Sequence, residues 1–77
     1  MSELHRLSDM PVGQHLRLVH IEGGQRLRRR LLALGISIGG HAQLVQRRGG
    51  GVVLAHDGNR VALGAGIAHK LFAEAVE

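Results

Sequence analysis

Residues 25–40, QRLRRRLLALGISIGG, decide how the rest of the chain is read. Leu27, Leu31 and Leu34 recur at i, i+4 and i+7, which places them in one stripe at 100° per residue. Arg26, Arg29 and Arg30 fall on the opposite side, with Arg28 and Leu32 at the flanks. The spacing predicts an amphipathic helix with an apolar seam and a crowded cationic back. Gly35 follows where a left-handed C-cap is wanted, because glycine reaches positive φ without a Cβ clash. All four arginines precede that cap, so several are expected toward the negative end of the helix dipole.

On either side of this helix the chain reads as short strands and tight turns. Toward the N-terminus, Leu4, Leu7 and Met10 are spaced by three and suggest one helical turn, ended by Pro11-Val12-Gly13. Residues 14–21, QHLRLVHI, alternate, with Leu16 and Leu18 on one face. The alternation breaks at Val19-His20-Ile21, which predicts a bulge or a strand end. Toward the C-terminus, Ile36 and Ile38 anchor a connector. Residues 41–48 form a second strand that Gly49-Gly50-Gly51 interrupts. Residues 52–56 and 60–63 flank Asp57-Gly58, a type I′ hairpin signal. Residues 64–69 read as a short helical turn and 71–76 as a closing strand, with Phe72 expected in the core.

About five short strands and one helix predict a mainly β fold, a small, partly open SH3-like barrel with the helix capping one end. An OB-fold is the nearest competitor. At 77 residues the chain is one domain, residues 1–77, close to the lower size limit for a self-sufficient core. There is no cysteine, so neither disulfides nor thiolate metal sites contribute, which fits a reducing cytoplasm. No apolar run approaches the roughly 20 residues that span a bilayer. The opening MSELHRLSDM is too polar for a signal peptide.

Ten basic and six acidic residues give a formal charge of +4. Such a surface favours anionic partners, although it also serves plain solubility. Catalysis finds no constellation. The serines are Ser2, Ser8 and Ser37, and the carboxylates Glu3, Asp9, Glu22, Asp57, Glu74 and Glu77 are expected at turns or termini. The six histidines, His5, His15, His20, His41, His56 and His69, lack the i, i+3 or i, i+4 spacing of a helical metal site, so no metal ligand is assigned. Gly23-Gly24 precedes the helix without the lysine of a nucleotide loop. Seven arginines could track phosphates, but with Phe72 as the only aromatic there is no stacking platform for bases. A small basic barrel that binds RNA or another acidic partner is the alternative reading, and no specific nucleic acid is expected.

The run Leu27-Arg28-Arg29-Arg30-Leu31-Leu32-Ala33-Leu34-Gly35-Ile36, followed by Gly39, resembles the signature of the FeoA family of bacterial ferrous-iron transport. Leu7-Ser8-Asp9-Met10-Pro11-Val12-Gly13, Ile21-Glu22-Gly23-Gly24 and Val61-Ala62-Leu63-Gly64 with Ala68 are similar to other parts of that family. Their order and spacing extend the resemblance over about residues 4–76. It implies an SH3-like barrel in the cytoplasm, without enzymatic activity or a required cofactor. It also implies a partnership with the cytoplasmic, GTPase-bearing part of the FeoB transporter. Membrane contact would then come only through the transporter. The same domain type closes metal-dependent repressors, where it serves protein contact, but this chain carries no DNA-binding domain. Many relatives have a Pro-x-Gly-Asp-Pro-like loop where this chain has Arg47-Arg48-Gly49-Gly50-Gly51, so no role of that loop transfers.

The partner-binding residues expected are the arginine back, Arg26, Arg29 and Arg30, and the loop pair Arg47 and Arg48. Surface histidines are expected to take up divalent metal such as Fe2+ or Zn2+ only weakly and adventitiously. Edge-strand pairing into a homodimer is a further expectation.

Overall fold

Two bulges and a set of glycine turns shape the barrel. The computed structural model describes residues 3–77, and Ser2 lies outside the described residues. The elements are β1 (His5–Arg6), a 3-10 turn (Leu7–Asp9), β2 (His15–Ile21), α1 (Gln25–Ala33), β3 (His41–Arg48), β4 (Gly51–His56), β5 (Asn59–Leu63), α2 (Ala65–Ala68) and β6 (Leu71–Val76). The strands form one antiparallel sheet in the order β1-β6-β2-β3-β4-β5. The five expected strands are β2 to β6. β1 is an addition of two residues, paired to β6. The final strand, β6, lies between β1 and β2, and β1 covers only Phe72 and Ala73 of its outer side. β5 is the longer of the two edges.

The break in alternation after Leu18 is a β-bulge against β6. Its effect follows from the period of two. In a regular strand Leu16 and Leu18 would be followed inward by His20. The extra residue at Val19 turns His20 to solvent and carries Ile21 into the core. A second bulge, between Leu44 and Gln46, interrupts β3 opposite β4. Inward residues then meet across the sheet: Leu18 with Ala73, Ile21 with Leu71, Leu44 with Leu54 and Val52 with Leu63. The core is aliphatic, and no polar or charged residue is buried among the described ones.

Phe72 is not part of it, contrary to the sequence expectation. Leu71 and Ala73 face inward, so the pleat turns Phe72 outward, half-buried. Arg6 covers its ring at 4.9 Å and the His20 ring lies 5.8 Å away. Glu74 is also misplaced by the sequence reading. It sits within β6 and accepts from Arg17 Nε at 2.7 Å across the β2–β6 pair.

The hairpins are as tight as the chain permits. Asp57 has φ 47° and Gly58 φ 79°, the two positive angles a type I′ turn needs. Gly49 and Gly50, at φ 55° and 86°, make a second two-residue turn between the paired Arg48 and Gly51. The glycine run therefore ends β3 and begins β4 at once.

α1 ends on Gly35, at φ 84°. The Gly35 N–H donates to the Leu32 carbonyl and the Ile36 N–H to the Leu31 carbonyl, both at 2.9 Å. This is the Schellman pattern, which brings the residue after the glycine against the residue three before the cap. Ile36 and Leu31 are accordingly both buried. Leu34, expected in the apolar stripe, is instead the C-cap residue and is 46% exposed. The helical phase stops one residue too early for Leu34, and Ile36 takes the place in the core.

Leu31→Ala removes a fully buried side chain and is expected to cost about 2–5 kcal/mol, whereas Leu34→Ala should stay within about 0.5 kcal/mol. Urea melts of both variants check this. Equal losses would mean that the Gly35 turn does not separate the two leucines as described.

Candidate functional site

The arginines fall into two groups, according to whether the fold already uses them. Arg17 is bound to Glu74. Arg6 donates to the His69 carbonyl at 3.2 Å and stacks on Phe72. Arg47, expected at the partner surface, reaches back across the barrel. Its guanidinium donates to the Met10 carbonyl at 2.8 Å and to the Ser8 carbonyl. It thereby satisfies the last carbonyls of the 3-10 turn, a task for which its planar fork of donors is suited.

The second group has no such tasks. The side chains of Arg26, Arg28, Arg29 and Arg30 are exposed along α1 and make no hydrogen bond or ion pair among the described residues. α1 carries no acidic residue in its first turn and no side-chain cap at Gly24, and only Arg30 lies in its last turn. The dipole expectation is therefore corrected for Arg26, which stands in the first turn near the positive end. Arg26 also has Arg29 and Arg30 at i+3 and i+4. Both relations are unfavourable, by about 0.2–1 kcal/mol each. Of the four, only Arg30 is placed favourably for the helix that carries it.

Beside these arginines lies exposed apolar surface. Leu32 is 63% and Ile38 47% exposed. Together with Arg28, Ser37 and the buried Ile21 and Ile36 they line one open hollow. Arg48 borders a different hollow, on the outer face of β3, β4 and β5 with Gln46, Val53 and Ala62. The two hollows share no residue. Sequence reasoning marked Leu32 as a flank but gave Leu32 and Ile38 no role in binding. Their signal was their position on either side of the glycine cap.

The histidines do not gather into a ligand set. His15, His41 and His56 border one hollow. His56 Nδ1 lies 2.8 Å from the His41 carbonyl, and its Nε2 is 3.3 Å from Asp57. Among the described residues no three His, Asp or Glu side chains converge as a metal site. No described helix is long and apolar enough to cross a membrane.

Comparison with known proteins gives a consistent result. The profile of the FeoA domain matches residues 5–75. The Fe(2+) transport protein A of Methanocaldococcus jannaschii is 29% identical over 65 residues, 84% of this chain and 79% of that protein. The crystal structure of an iron uptake regulatory protein, FeoA, superposes with a TM-score of 0.87 at 27% identity, over 96% of this chain and all of the other. The fold recurs in a manganese-dependent transcriptional repressor, with a TM-score of 0.87 at 20% identity, over 99% of this chain but 44% of the repressor. These neighbours agree with the SH3-like barrel expected from the sequence.

The division of the arginines is open to a direct check. Arg47→Met should destabilise the domain by about 1–2 kcal/mol, because it removes two charge-assisted hydrogen bonds to the N-terminal turn, the one to Met10 partly buried. Arg48→Met should change stability by no more than about 0.5 kcal/mol. Thermal melts that show no difference between the two would remove the structural role of Arg47.

Proposed function

The chain belongs to the FeoA domain family, a family of small accessory proteins in ferrous iron transport, and from that premise we propose that it docks on the cytoplasmic, GTPase-bearing part of a FeoB-type transporter through the arginine face of α1. It acts there in the cytoplasm, without catalysis of its own, to support or regulate Fe(II) uptake.

The observation that carries this reading is the uncompensated charge of α1. Arg26, Arg28, Arg29 and Arg30 stand on nine residues of helix with no carboxylate beside them. Arg26 opposes the helix dipole and repels Arg29 and Arg30, and none of the four side chains is paired among the described residues, which leaves them available to a partner. A guanidinium recognises carboxylates in pairs of parallel hydrogen bonds, and a cluster of four steers an acidic surface toward one orientation. Arg48 offers a separate, secondary contact. Arg47 is occupied within the fold and is left out of the docking face.

Phe72 does not favour the RNA alternative. One face of its ring is covered by Arg6 and His20 stands beside it, so it is no open stacking platform.

Calorimetric titration against the transporter's cytoplasmic domain tests the reading. Binding should be saturable and should weaken as salt rises. Arg29→Glu with Arg30→Glu should reduce it at least about tenfold. Arg26→Glu is the sharper variant. It should weaken binding while raising stability by about 0.3–1 kcal/mol, since a carboxylate suits the first turn of a helix. Undiminished binding by both variants would remove the arginine face, and a salt-dependent shift of RNA instead would favour the alternative.

A further inference from the structure

We propose that the hollow at the exit of α1 is a docking groove for an acidic amphipathic helix of a protein partner. This rests on the reading that α1 docks on another protein, and it specifies the kind of segment taken. The floor is Ile21 and Ile36, and the walls are Leu32 and Ile38. Arg28 is on the rim, and Arg29 stands one turn before Leu32 on the same helix. An apolar recess beside two guanidiniums is complementary to a surface with aliphatic knobs and carboxylates next to them.

The form of the partner follows from the sheet. β2 carries Ile21 and already has β6 and β3 on its two sides. On the β3 side, β3 pairs His15–Arg17 and the connector bonds Leu18 through Gly39 and Gly40, so only Val19–Ile21 remain there, a bulged run at the short limit of a strand and a poor template for an extended peptide. Recognition then falls to side chains, and an amphipathic helix supplies aliphatic residues at i and i+4 with acidic residues on its flanks.

The other occupants fit less well. A second copy related by a twofold axis would bring the arginines of α1 against themselves. A bilayer takes up protruding aliphatic side chains, whereas half of this apolar lining is the recessed, buried pair Ile21 and Ile36.

The test is an NMR titration of the 15N-labelled full chain with a designed acidic helix of roughly 18 residues, about five turns, bearing Leu at i and i+4 and Glu at the flanks. A peptide of the same composition, permuted to lose its apolar face, is the comparison. Vesicles of phosphatidylglycerol and phosphatidylcholine form the third arm. The expected result is shifts at the amides of Arg28, Leu32, Ser37 and Ile38, with the permuted peptide much weaker. Leu32→Asp and Ile38→Asp should each lower affinity by about tenfold or more. Leu34→Asp alters an exposed leucine outside the groove and should leave affinity within about twofold. Shifts elsewhere, equal binding of the permuted peptide, or equal binding by Leu32→Asp would overturn the groove. So would vesicle binding that Leu32→Asp abolishes when the peptide causes no shift, since the surface would then be a lipid one. The peptide arms need no transporter. Failure of the transporter domain to bind would count against the proposed function alone, and failure of the peptide against the groove alone.

Discussion

The left-handed turn at Gly35 is the constraint from which the rest of the candidate surface follows. A right-handed continuation would have kept Leu34 in the apolar stripe and carried Ile36 out of it. The positive φ instead folds the chain back, so that the Ile36 N–H meets the Leu31 carbonyl and both side chains enter the core. Leu31 and Ile36 then clamp the helix end onto the barrel. Leu32 and Ile38, one residue after Leu31 and two after Ile36, are left facing solvent. The same backbone torsion that completes the core thus creates the exposed apolar surface beside the arginines.

The barrel supplies the rigid side of that arrangement. Leu18, the last inward residue of β2 before its bulge, exchanges backbone hydrogen bonds with the connector. The Gly39 N–H donates to the Leu18 carbonyl at 2.7 Å, and the Leu18 N–H donates to the Gly40 carbonyl at 2.9 Å. The connector after Gly35 is therefore tied to the centre of the sheet, and Ile38 is held near Ile21 rather than trailing from the helix. The bulge at Val19 completes the arrangement by turning Ile21 inward, where it floors the hollow. Helix, connector and bulge each contribute one apolar side chain or more to the same place.

Much of this was legible in the sequence because it is local. Period-two alternation marked the five longer strands, and its failure at Val19 marked the bulge. Asp57-Gly58 and Gly35 announced their torsions directly. What escaped was of two kinds. Some signals were present but weighed wrongly. Leu71 and Ala73 flank Phe72, so alternation already turned the ring outward, yet its hydrophobicity drew it into the core. Leu34 continued the helical count past a cap whose rule gives the core position to Ile36. Other features had no local signal. Arg47 contacts carbonyls 37 and 39 residues away, and nothing near it in the chain predicts that. The pairing of His5 and Arg6 with β6 joins the two ends of the chain. The exposed arginines of α1 were read correctly as a cationic back, because solvent exposure is what the helical wheel predicts best.

Charge and apolar surface on this domain gain meaning from what the fold does not need. In a domain of 77 residues the net stability is small, so a first-turn arginine with two like charges one turn away is a measurable cost. The barrel accepts arginines where they bind, as Arg17 on Glu74 and Arg47 on the N-terminal turn show. It gives those of α1 no partner. Leu32 and Ile38 are exposed, as are Leu4, Val12 and Leu34, but of these five only Leu32 and Ile38 line the hollow that Arg28 borders. Either feature alone would be unremarkable for a surface. Their meeting at one helix end, at a left-handed turn that glycine adopts without strain, makes this the part of the molecule whose chemistry is completed by something outside it.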